Sequence, residues 1–433
     1  MKNHIKTQRA HDAIRSHFTI QPPSLAGRIA LLAFPLVMAC HGPAFAQVDS
    51  FSEAGSQALT LRGFGTLGFA RTNSDQAEFV RDLSQPDGVT NHWSGKIDSL
   101  AGLQANFQFA EKFEAVAQVV SHYRYDKSFQ PDLTWAFLKY DPDSNFSLRA
   151  GRLGTEFYML ADSRQVGYSY LTVRPPGDYY GALPFSYIEG LDLQMTTPLA
   201  GGLVRGKVFS GVSREKVPLA DRQWDLNGSR MTGGHVDYLS GSWQWRLGYA
   251  QLRFNHDLPL ADLRDTLNAA GAQAAASAIA VEDKLSRFYS AGMVYDNGPL
   301  QVQLMLSEIR HDSDIFENSR SGYLIAGYRI GEVTPFAGYS WVRSSPKTLS
   351  TGLPDVGPLA VLNATLASTL ADSHSDQHTT ILGARWDFRR NMALKAQLDQ
   401  VRGTPQSIFP YRGEKPGFNG NMNVLSLTLD FIF

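Results

Sequence analysis

Ionisable side chains stand at alternate positions in several otherwise apolar segments of this chain. In one segment Lys395 and Asp399 alternate with Leu394 and Leu398. Successive side chains of a β-strand point to opposite faces, so such a segment has one apolar face and one charged face. Where charged faces line a water-filled passage, their charges set which ions enter.

A second candidate for chemistry is the stretch Asn91-His92-Trp93-Ser94-Gly95. It resembles the Asn-His-x-Ser-Asn-Gly segment of outer-membrane phospholipases, in which His and Ser cooperate as base and nucleophile. Gly95 stands where that pattern has Asn, the stretch falls in a predicted loop, and those lipases have fewer strands. A polar surface loop is the better interpretation. We therefore predict no enzyme activity and no catalytic residue.

A possible metal site lies near the end of the chain. His374 and His378, with Asp372 and Asp376, have side chains that could bind a metal ion. A solvated loop is the better interpretation of this polar run. We predict no metal site and no cofactor. The formal net charge of −1 gives no indication of a nucleic-acid partner, and none is predicted.

The amino-terminal segment has the organisation of a secretory signal peptide. A basic stretch that ends at Arg28 precedes a short apolar run, residues 29–39, and Ala44-Phe45-Ala46 provides the small residues that a signal peptidase requires. The apolar run is shorter than the roughly 20 residues of a membrane-spanning helix. We predict a signal peptide over residues 1–46 and a mature transmembrane domain over residues 47–433.

Cys40 is the only cysteine. A lipoprotein cleavage site at Cys40 is a weaker alternative to cleavage after Ala46, because Met38 fits the required pattern poorly. Cleavage after Ala46 removes the thiol, which excludes a disulfide framework or a cysteine metal site in the mature domain.

Segments with strand-like alternation recur along the mature chain, and turn residues separate them. About 16 such segments are predicted. They are Leu59–Arg71, Leu100–Phe109, Phe113–Arg124, Leu133–Asp141, Phe146–Arg152, Ile188–Thr197, Leu203–Ser210, Thr232–Leu239, Trp243–Phe254, Phe288–Asp296, Leu300–Arg310, Gly322–Arg329, Val333–Arg343, Thr379–Phe388, Met392–Arg402 and Asn423–Phe433.

The connections between these segments alternate strictly between short and long. Asn297–Pro299 is one of the short connections, and Leu153–Tyr187 is one of the long ones. Short periplasmic turns and longer extracellular loops are typical of transmembrane barrels. Two long loops contain helix-leaning pieces, Leu260–Ala280 and Leu359–Ala371. We predict an all-β fold, a transmembrane antiparallel β-barrel of about 16 strands with long extracellular loops.

The last strand alternates to the final residue, with Leu425, Leu427 and Leu429 on the face of Phe433. This pattern resembles the terminal strand of bacterial outer-membrane barrels, whose last residue is commonly Phe and is read by the assembly machinery. With the loop pattern, it makes the chain resemble Gram-negative porins of the 16-strand kind over essentially the whole mature length. The resemblance implies a location in the bacterial outer membrane, Phe433 as an assembly signal and a homotrimer.

The same resemblance implies that the third long loop, Leu153–Tyr187, folds into the barrel and narrows the passage. Pro175-Pro176-Gly177 would stiffen this loop. The loop lacks the Pro-Glu-Phe-Gly signature of general diffusion porins. Its charged residues are the predicted constriction: Glu156, Asp162, Arg164, Arg174 and Asp178.

Strand alternation predicts which wall charges face the lumen, because Arg or Lys on the lipid face would cost roughly 2–4 kcal/mol at the midplane. Acids of the third loop and bases of the wall are expected to produce a transverse field. A slip of one residue in register would turn every such assignment outward. The predicted lumen-facing wall residues are Arg62, Arg149, Asp192, Arg205, Lys207, Asp237, Arg246, Arg385, Asp387, Lys395, Asp399 and Asp430.

These features predict a water-filled channel for passive diffusion of small hydrophilic solutes and ions. A substrate-selective channel is the main alternative, since Tyr158, Tyr168, Tyr170, Tyr179 and Tyr180 would suit a sugar and the basic wall an anion. A structural barrel with a plugged lumen would require a bulky, apolar interior, whereas the predicted inward residues are polar, charged or small and favour a pore. The expected partners are outer-membrane lipids, lipopolysaccharide, the solutes and the barrel-assembly machinery.

Overall fold

The computed structural model describes residues 58–156, 158–182, 185–219, 222–405, 407 and 411–433. The predicted signal peptide, residues 1–46, lies outside the described residues. Its cleavage after Ala46 therefore stays a prediction.

Sixteen antiparallel strands form a closed barrel in which each strand pairs with its neighbours in the chain, and the first pairs with the last. This confirms the predicted fold class. The barrel strands are β1 (Ala58–Thr72), β2 (Leu100–Ala110), β3 (Phe113–His122), β4 (Asp132–Tyr140), β5 (Phe146–Gly154), β6 (Tyr187–Leu199), β7 (Gly202–Val212), β8 (Arg230–Ser240), β9 (Trp243–Arg253), β10 (Leu285–Asp296), β11 (Leu300–His311), β12 (Asn318–Tyr328), β13 (Val333–Ser345), β14 (Asp376–Arg389), β15 (Met392–Gly403) and β16 (Asn421–Ile432).

The barrel closes between β1 and β16. The register runs from Phe64 opposite Ile432 to Thr72 opposite Val424. Beyond the end of β16, the backbone N–H of Phe433 donates to the carbonyl oxygen of Gly63 at 2.9 Å, and the N–H of Gly63 donates back to Phe433 at 2.8 Å. A Cβ on Gly63 would lie 2.1 Å from the Phe433 ring, so only glycine lets the ring lie flat against β1. The Phe433 side chain is 73% exposed on the outside of the barrel.

Alternation along the strands gives the barrel an apolar outer surface. Leu247 is 68% exposed and Val208 is 61% exposed, and neither contacts an aqueous interior. At the end with the short turns, Trp243 stacks on Trp245 and packs against Tyr295. An outward apolar band bordered by aromatic side chains is what a barrel in a lipid bilayer requires.

Several strands extend further toward the long loops than the sequence pattern predicted. β12 begins at Asn318 rather than Gly322, and β14 begins at Asp376 rather than Thr379. The added residues are polar on both faces, so they carry no alternating apolar signal. Main-chain pairing nevertheless continues through them, with Asn318 opposite Ser345.

Among the described residues, the long connections contain four α-helices: α1 (Gly177–Tyr180), α2 (Ala261–Ala269), α3 (Gln273–Ala278) and α4 (Gly357–Ala371). Within the described part of the chain, no helix combines the length and the apolar character needed to cross a membrane. Two short two-stranded sheets also lie in the described parts of the loops, one pairing Lys216–Leu219 with Arg222–Asp225 and one pairing Glu78–Phe79 with Tyr411–Arg412.

Candidate functional site

The third loop, between β5 and β6, folds into the barrel and contacts its opposite wall. Arg385 on β14 donates to the carbonyl oxygens of Tyr168 at 2.6 Å and Tyr170 at 2.8 Å. Lys395 on β15 donates to the carbonyl oxygens of Gly167 at 2.7 Å and Thr172 at 2.9 Å. Buried main-chain carbonyls need such partners, and here charged wall side chains supply them. The predicted inward course of the loop is confirmed.

At Gly167 the loop backbone lies very close to the wall. A Cβ there would lie 2.2 Å from a carboxylate oxygen of Asp430 on β16 and 2.3 Å from the hydroxyl of Thr66 on β1. The Thr66 hydroxyl also donates to Asp430 at 2.5 Å. Only a residue without a side chain fits between the loop backbone and this pair.

Arg174 anchors the loop rather than facing water. Its guanidinium donates to both carboxylate oxygens of Asp98 at 2.9 and 2.6 Å, to Asp399 at 2.7 Å and to the hydroxyl of Ser426 at 2.5 Å. The residue is 2% exposed. The prediction that Arg174 lines the constriction is therefore corrected: its planar, multiply donating guanidinium joins the first loop to β15 and β16.

Asp178 lies on the same side of the lumen, at the start of α1. Its carboxylate accepts hydrogen bonds from Ser340 on β13 at 2.6 Å and from Gln377 on β14 at 2.8 Å. Burial raises the pKa of Asp178 above its ordinary value, although these hydrogen bonds oppose the shift. Contrary to the predicted transverse field, Asp178 does not face the basic wall.

Glu156, which lies at the end of the third loop that follows β5, does face basic side chains. Its carboxylate pairs with Arg149 on β5 at 2.7 Å and with Lys207 on β7 at 2.6 Å, and Arg149 also pairs with Asp192 on β6. Burial would raise the pKa of Glu156, but Arg149 and Lys207 outweigh it and lower the pKa to about 2. His235 on β8 contacts the main-chain oxygen of Glu156 through Nδ1 at 2.8 Å.

A second ion pair continues this side of the wall. Arg246 on β9 donates to both carboxylate oxygens of Asp237 on β8, at 2.5 and 2.8 Å, and to the carbonyl oxygen of Tyr158 at 3.1 Å. On the other side of the barrel, Arg385 pairs with Asp387 at 2.8 Å. Arg246 and Arg385 thus each pair with an acid of the same wall.

Arg164 forms hydrogen bonds within the third loop. It donates to the hydroxyl of Tyr158 at 2.7 Å, the carbonyl oxygen of Phe185 at 2.8 Å and the hydroxyl of Ser186 at 2.7 Å. It therefore joins the two ends of the loop. Nothing in these contacts places its charge in a passage.

Five of the predicted charges belong to no ion pair within the described residues: Arg164 and Asp178, which are held by the hydrogen bonds above, and Arg62, Asp162 and Arg205. Asp162 of the third loop and Arg62 of β1 are exposed, and Arg205 of β7 is partly exposed. The Arg205 Nε is buried and has no hydrogen-bond partner. Burial among the surrounding protein atoms and the nearby Glu156 carboxylate raise the pKa of Asp162, although part of the residue is accessible to solvent. Arg62, Asp162 and Arg205 are thus at least partly exposed to solvent and have no ion-pair partner among the described residues.

The apolar side of the third loop was not predicted from the sequence. Tyr180 packs edge-on against Tyr158 with ring centroids 5.2 Å apart and donates to, or accepts from, the hydroxyl of Tyr323 at 3.0 Å. Inward wall residues join them in one apolar cluster, including Phe209 and Phe288. The loop-side half of the lumen is therefore bulky and apolar, in contrast to the polar interior that was predicted. Apolar residues at inward positions of these strands were the available signal.

A polar cavity of about 330 Å³ lies on the turn side of this cluster. Lys139, Arg149, Asp192, Gln194 and Lys207 contribute to its lining, together with the turn that joins β4 and β5. The Glu156–Arg149–Asp192 ion pairs form its border with the third loop. A charged, water-accessible space of this kind can admit small hydrophilic solutes.

The two remaining candidates for chemistry lie in extracellular loops. His92 is exposed, and the backbone of Ser94 pairs with Ala70 beside β1. His374 contacts Glu317 through Nδ1 at 2.8 Å, and its nitrogen also faces the hydroxyl of Ser344 at 3.3 Å. Within the described ranges, no group of three or more His, Cys, Asp or Glu side chains is placed to hold a metal ion.

Comparisons with known proteins bear on the fold. No protein-family model and no curated protein matches the chain. Among solved structures, an anion-selective porin from Comamonas acidovorans matches with a TM-score of 0.51 at 14% identity, covering 87% of this chain and 100% of that one. Salmonella typhi OmpF in complex with daunomycin matches with a TM-score of 0.52 at 12% identity, covering 87% and 97%. In-vitro folded OmpT of Vibrio cholerae, in its trimer form, matches with a TM-score of 0.52 at 12% identity, covering 87% and 100%.

At these identities the likeness concerns the fold alone. The chain is a 16-strand β-barrel of the outer-membrane porin type, as predicted. Its outward apolar band and its inward third loop agree with that architecture.

Proposed function

We propose that this protein is an outer-membrane channel for passive diffusion of small hydrophilic solutes and ions. The observation that carries the proposal is the third loop, which crosses the lumen and leaves a charged cavity of about 330 Å³ beside its root. The porin-type barrel supports a channel in general, and the balanced ion pairs around Glu156 favour hydrated solutes over one specific ligand. Catalysis and a cofactor play no part in this proposal.

The charges outside ion pairs are expected to govern which ions pass. Arg62 and Arg205 both point inward and belong to no ion pair among the described residues. A fixed charge acts most strongly on an ion that passes close to it in a narrow aqueous space. Both arginines therefore favour anions.

The test is conductance in planar bilayers with a salt gradient. The double variant R62Q/R205Q should shift the reversal potential toward cation preference. R71Q is the matched control, because Arg71 lies on β1 like Arg62 but points outward, over the ring of Trp93 at 5.8 Å. Purified protein that passes no current would overturn the channel itself, and an unchanged reversal potential in R62Q/R205Q would overturn the assignment of these arginines.

Phe433 is proposed as the assembly signal, because its exposed ring and main-chain bonds to Gly63 complete the seam of the barrel. Deleting Phe433 should leave a secreted chain that fails to insert into the membrane. Normal amounts of heat-modifiable, membrane-embedded protein after the deletion would contradict this role.

A homotrimer belongs to the same proposal, supported by the trimer form of the similar OmpT structure. The sedimentation mass of the detergent-solubilised protein tests it. A mass of one chain would contradict it.

A further inference from the structure

The outer surface of the barrel carries opposed arginines at its loop end. Arg230 on β8 stands directly opposite Arg253 on β9, and Arg287 on β10 stands directly opposite Arg310 on β11. All four share the outward face, since Leu247 lies on the same face of β9 as Arg253 and is 68% exposed. Like charges directly opposite each other on neighbouring strands are destabilising. A negatively charged partner bound between the opposed arginines would therefore relieve their repulsion.

Part of this charge is compensated within the chain. Arg287 pairs with Asp312 at 2.6 Å, and Arg310 pairs with Glu308 at 3.1 Å. Glu308 is shared with Arg320, at 3.3 Å. These acids are fewer than the bases around them, so a positive excess remains on this face.

Arg230 and Arg253 have no such compensation. Both side chains are exposed, and no ion pair joins either to a carboxylate of the described residues. They therefore form the strongest part of a positive surface that we define as the outer arginine patch: Arg230, Arg253, Arg287 and Arg310.

The surroundings of the patch indicate what kind of anion it would bind. On the membrane side of the patch, on the same outward face, Tyr249 and Tyr289 pack together with ring centroids 5.3 Å apart. Beyond them the outward surface is apolar, with Leu247 and Leu306 exposed. Tyrosine pairs are typical of the boundary between hydrocarbon and water. An anion at the patch would thus lie at the headgroup level, with an apolar surface directly beneath it.

We propose that the outer arginine patch binds the phosphate groups of an anionic lipid in the outer leaflet, such as the lipid part of lipopolysaccharide. The guanidinium group suits this role because its planar set of donors matches phosphate oxygens in pairs. Acyl chains of the same lipid would cover Leu247 and Leu306. The orientation of the patch toward the outer leaflet rests on the proposed function, in which the long loops are extracellular.

The experiment measures lipid binding to the purified full barrel in detergent by native mass spectrometry. The probes are lipid A with two phosphates, the same lipid after removal of its phosphates, and inorganic phosphate alone. The wild type should bind the phosphorylated lipid, and R230Q/R253Q should lose at least tenfold in affinity. R71Q is the control, an outward arginine of the same rim on β1, and should change affinity by less than twofold.

R253E provides a second variant that keeps the surface charged. It places a carboxylate opposite Arg230, so the lipid-free barrel should be at least as heat-stable as the wild type, yet lipid binding should be lost. A lower unfolding temperature of R253E and R230Q/R253Q without lipid would show a structural role and overturn the proposal.

Two further outcomes would also overturn it. Equal binding of the phosphate-free lipid would show that the arginines contribute nothing, and equal binding of inorganic phosphate would show a site for free anions. Conductance of the same samples is recorded separately. A barrel that passes no ions but binds the phosphorylated lipid would defeat the proposed function and leave the lipid site intact.

Discussion

The two sides of the third loop are held to the barrel wall in different ways. On the side of β13–β16, Arg174 and Asp178 are 2% and 4% exposed, and wall side chains hydrogen-bond directly to the loop main chain. On the side of β5–β9, Glu156 pairs with bases that border a polar cavity, and Asp162 is exposed. The same kinds of charged residues thus form a fully buried anchor on one side and the partly buried border of a polar cavity on the other.

The difference shows that sequence position does not decide what a charge in a lumen does. Arg174 and Arg149 both neutralise two carboxylates, but the Arg174 side chain is 2% exposed, whereas the Arg149 side chain is 16% exposed and borders the polar cavity. Breaking a fully buried ion pair is more costly than altering one that is partly exposed. Variants on the two sides should therefore separate stability from ion selectivity.

The largest effect is expected from R174Q. The change leaves Asp98 and Asp399 buried without their guanidinium, which should lower the free energy of unfolding by about 3–5 kcal/mol. The loop should also leave the wall, so single-channel conductance should rise. Thermal unfolding in detergent and planar-bilayer recordings measure the two effects. R214Q is the control, since Arg214 pairs with Glu189 at the exposed surface; a similar loss in both variants would remove the distinction between the two sides.

An intermediate effect is expected from E156Q. Lys207 loses its carboxylate, while Arg149 keeps Asp192, so the free energy of unfolding should fall by about 1–3 kcal/mol. Removing a negative charge beside the cavity should also shift ion preference toward anions. Because the pKa of Glu156 is lowered to about 2, its stabilising contribution is present above its unfolded-state pKa and is lost only as the pH falls toward 2.

E156Q therefore has a pH signature. Its difference from the wild type in unfolding temperature should be constant above about pH 5, since the unfolded-state pKa of a glutamate is about 4.3, and should shrink at lower pH. A difference that already disappears between pH 7 and pH 6 would show that Glu156 is not held ionised by Arg149 and Lys207.

The smallest effect is expected from D162N. An exposed side chain outside any ion pair should change the free energy of unfolding by less than about 0.5 kcal/mol. Ion preference should shift modestly toward anions. Because the pKa of Asp162 is raised, acidification should protonate it before an ordinary aspartate, and the wild type should approach D162N as the pH falls. Reversal potentials that stay equal in the two proteins at neutral pH would show that Asp162 does not border the passage.

The sequence by itself determined the barrel. A strand has a period of two, so sixteen alternating segments separated by short and long connections could be recognised without any knowledge of their partners. Alternation also identified Asp430, Lys395 and Asp399 as inward, because charge and apolar surface cannot share the lipid face. Some strand ends were missed where both faces are polar, as at Asn318.

Only the tertiary structure decided which charges meet. Arg174 contacts Asp98, Asp399 and Ser426, which are far apart in the chain. No local sequence pattern predicts that these residues meet. The inward side chains of Phe209 and Phe288 likewise became a packed cluster only when the third loop brought Tyr158 and Tyr180 against them. The period of a strand gives the face on which a side chain lies. The neighbours of that side chain depend on how the barrel closes and how the loop crosses it.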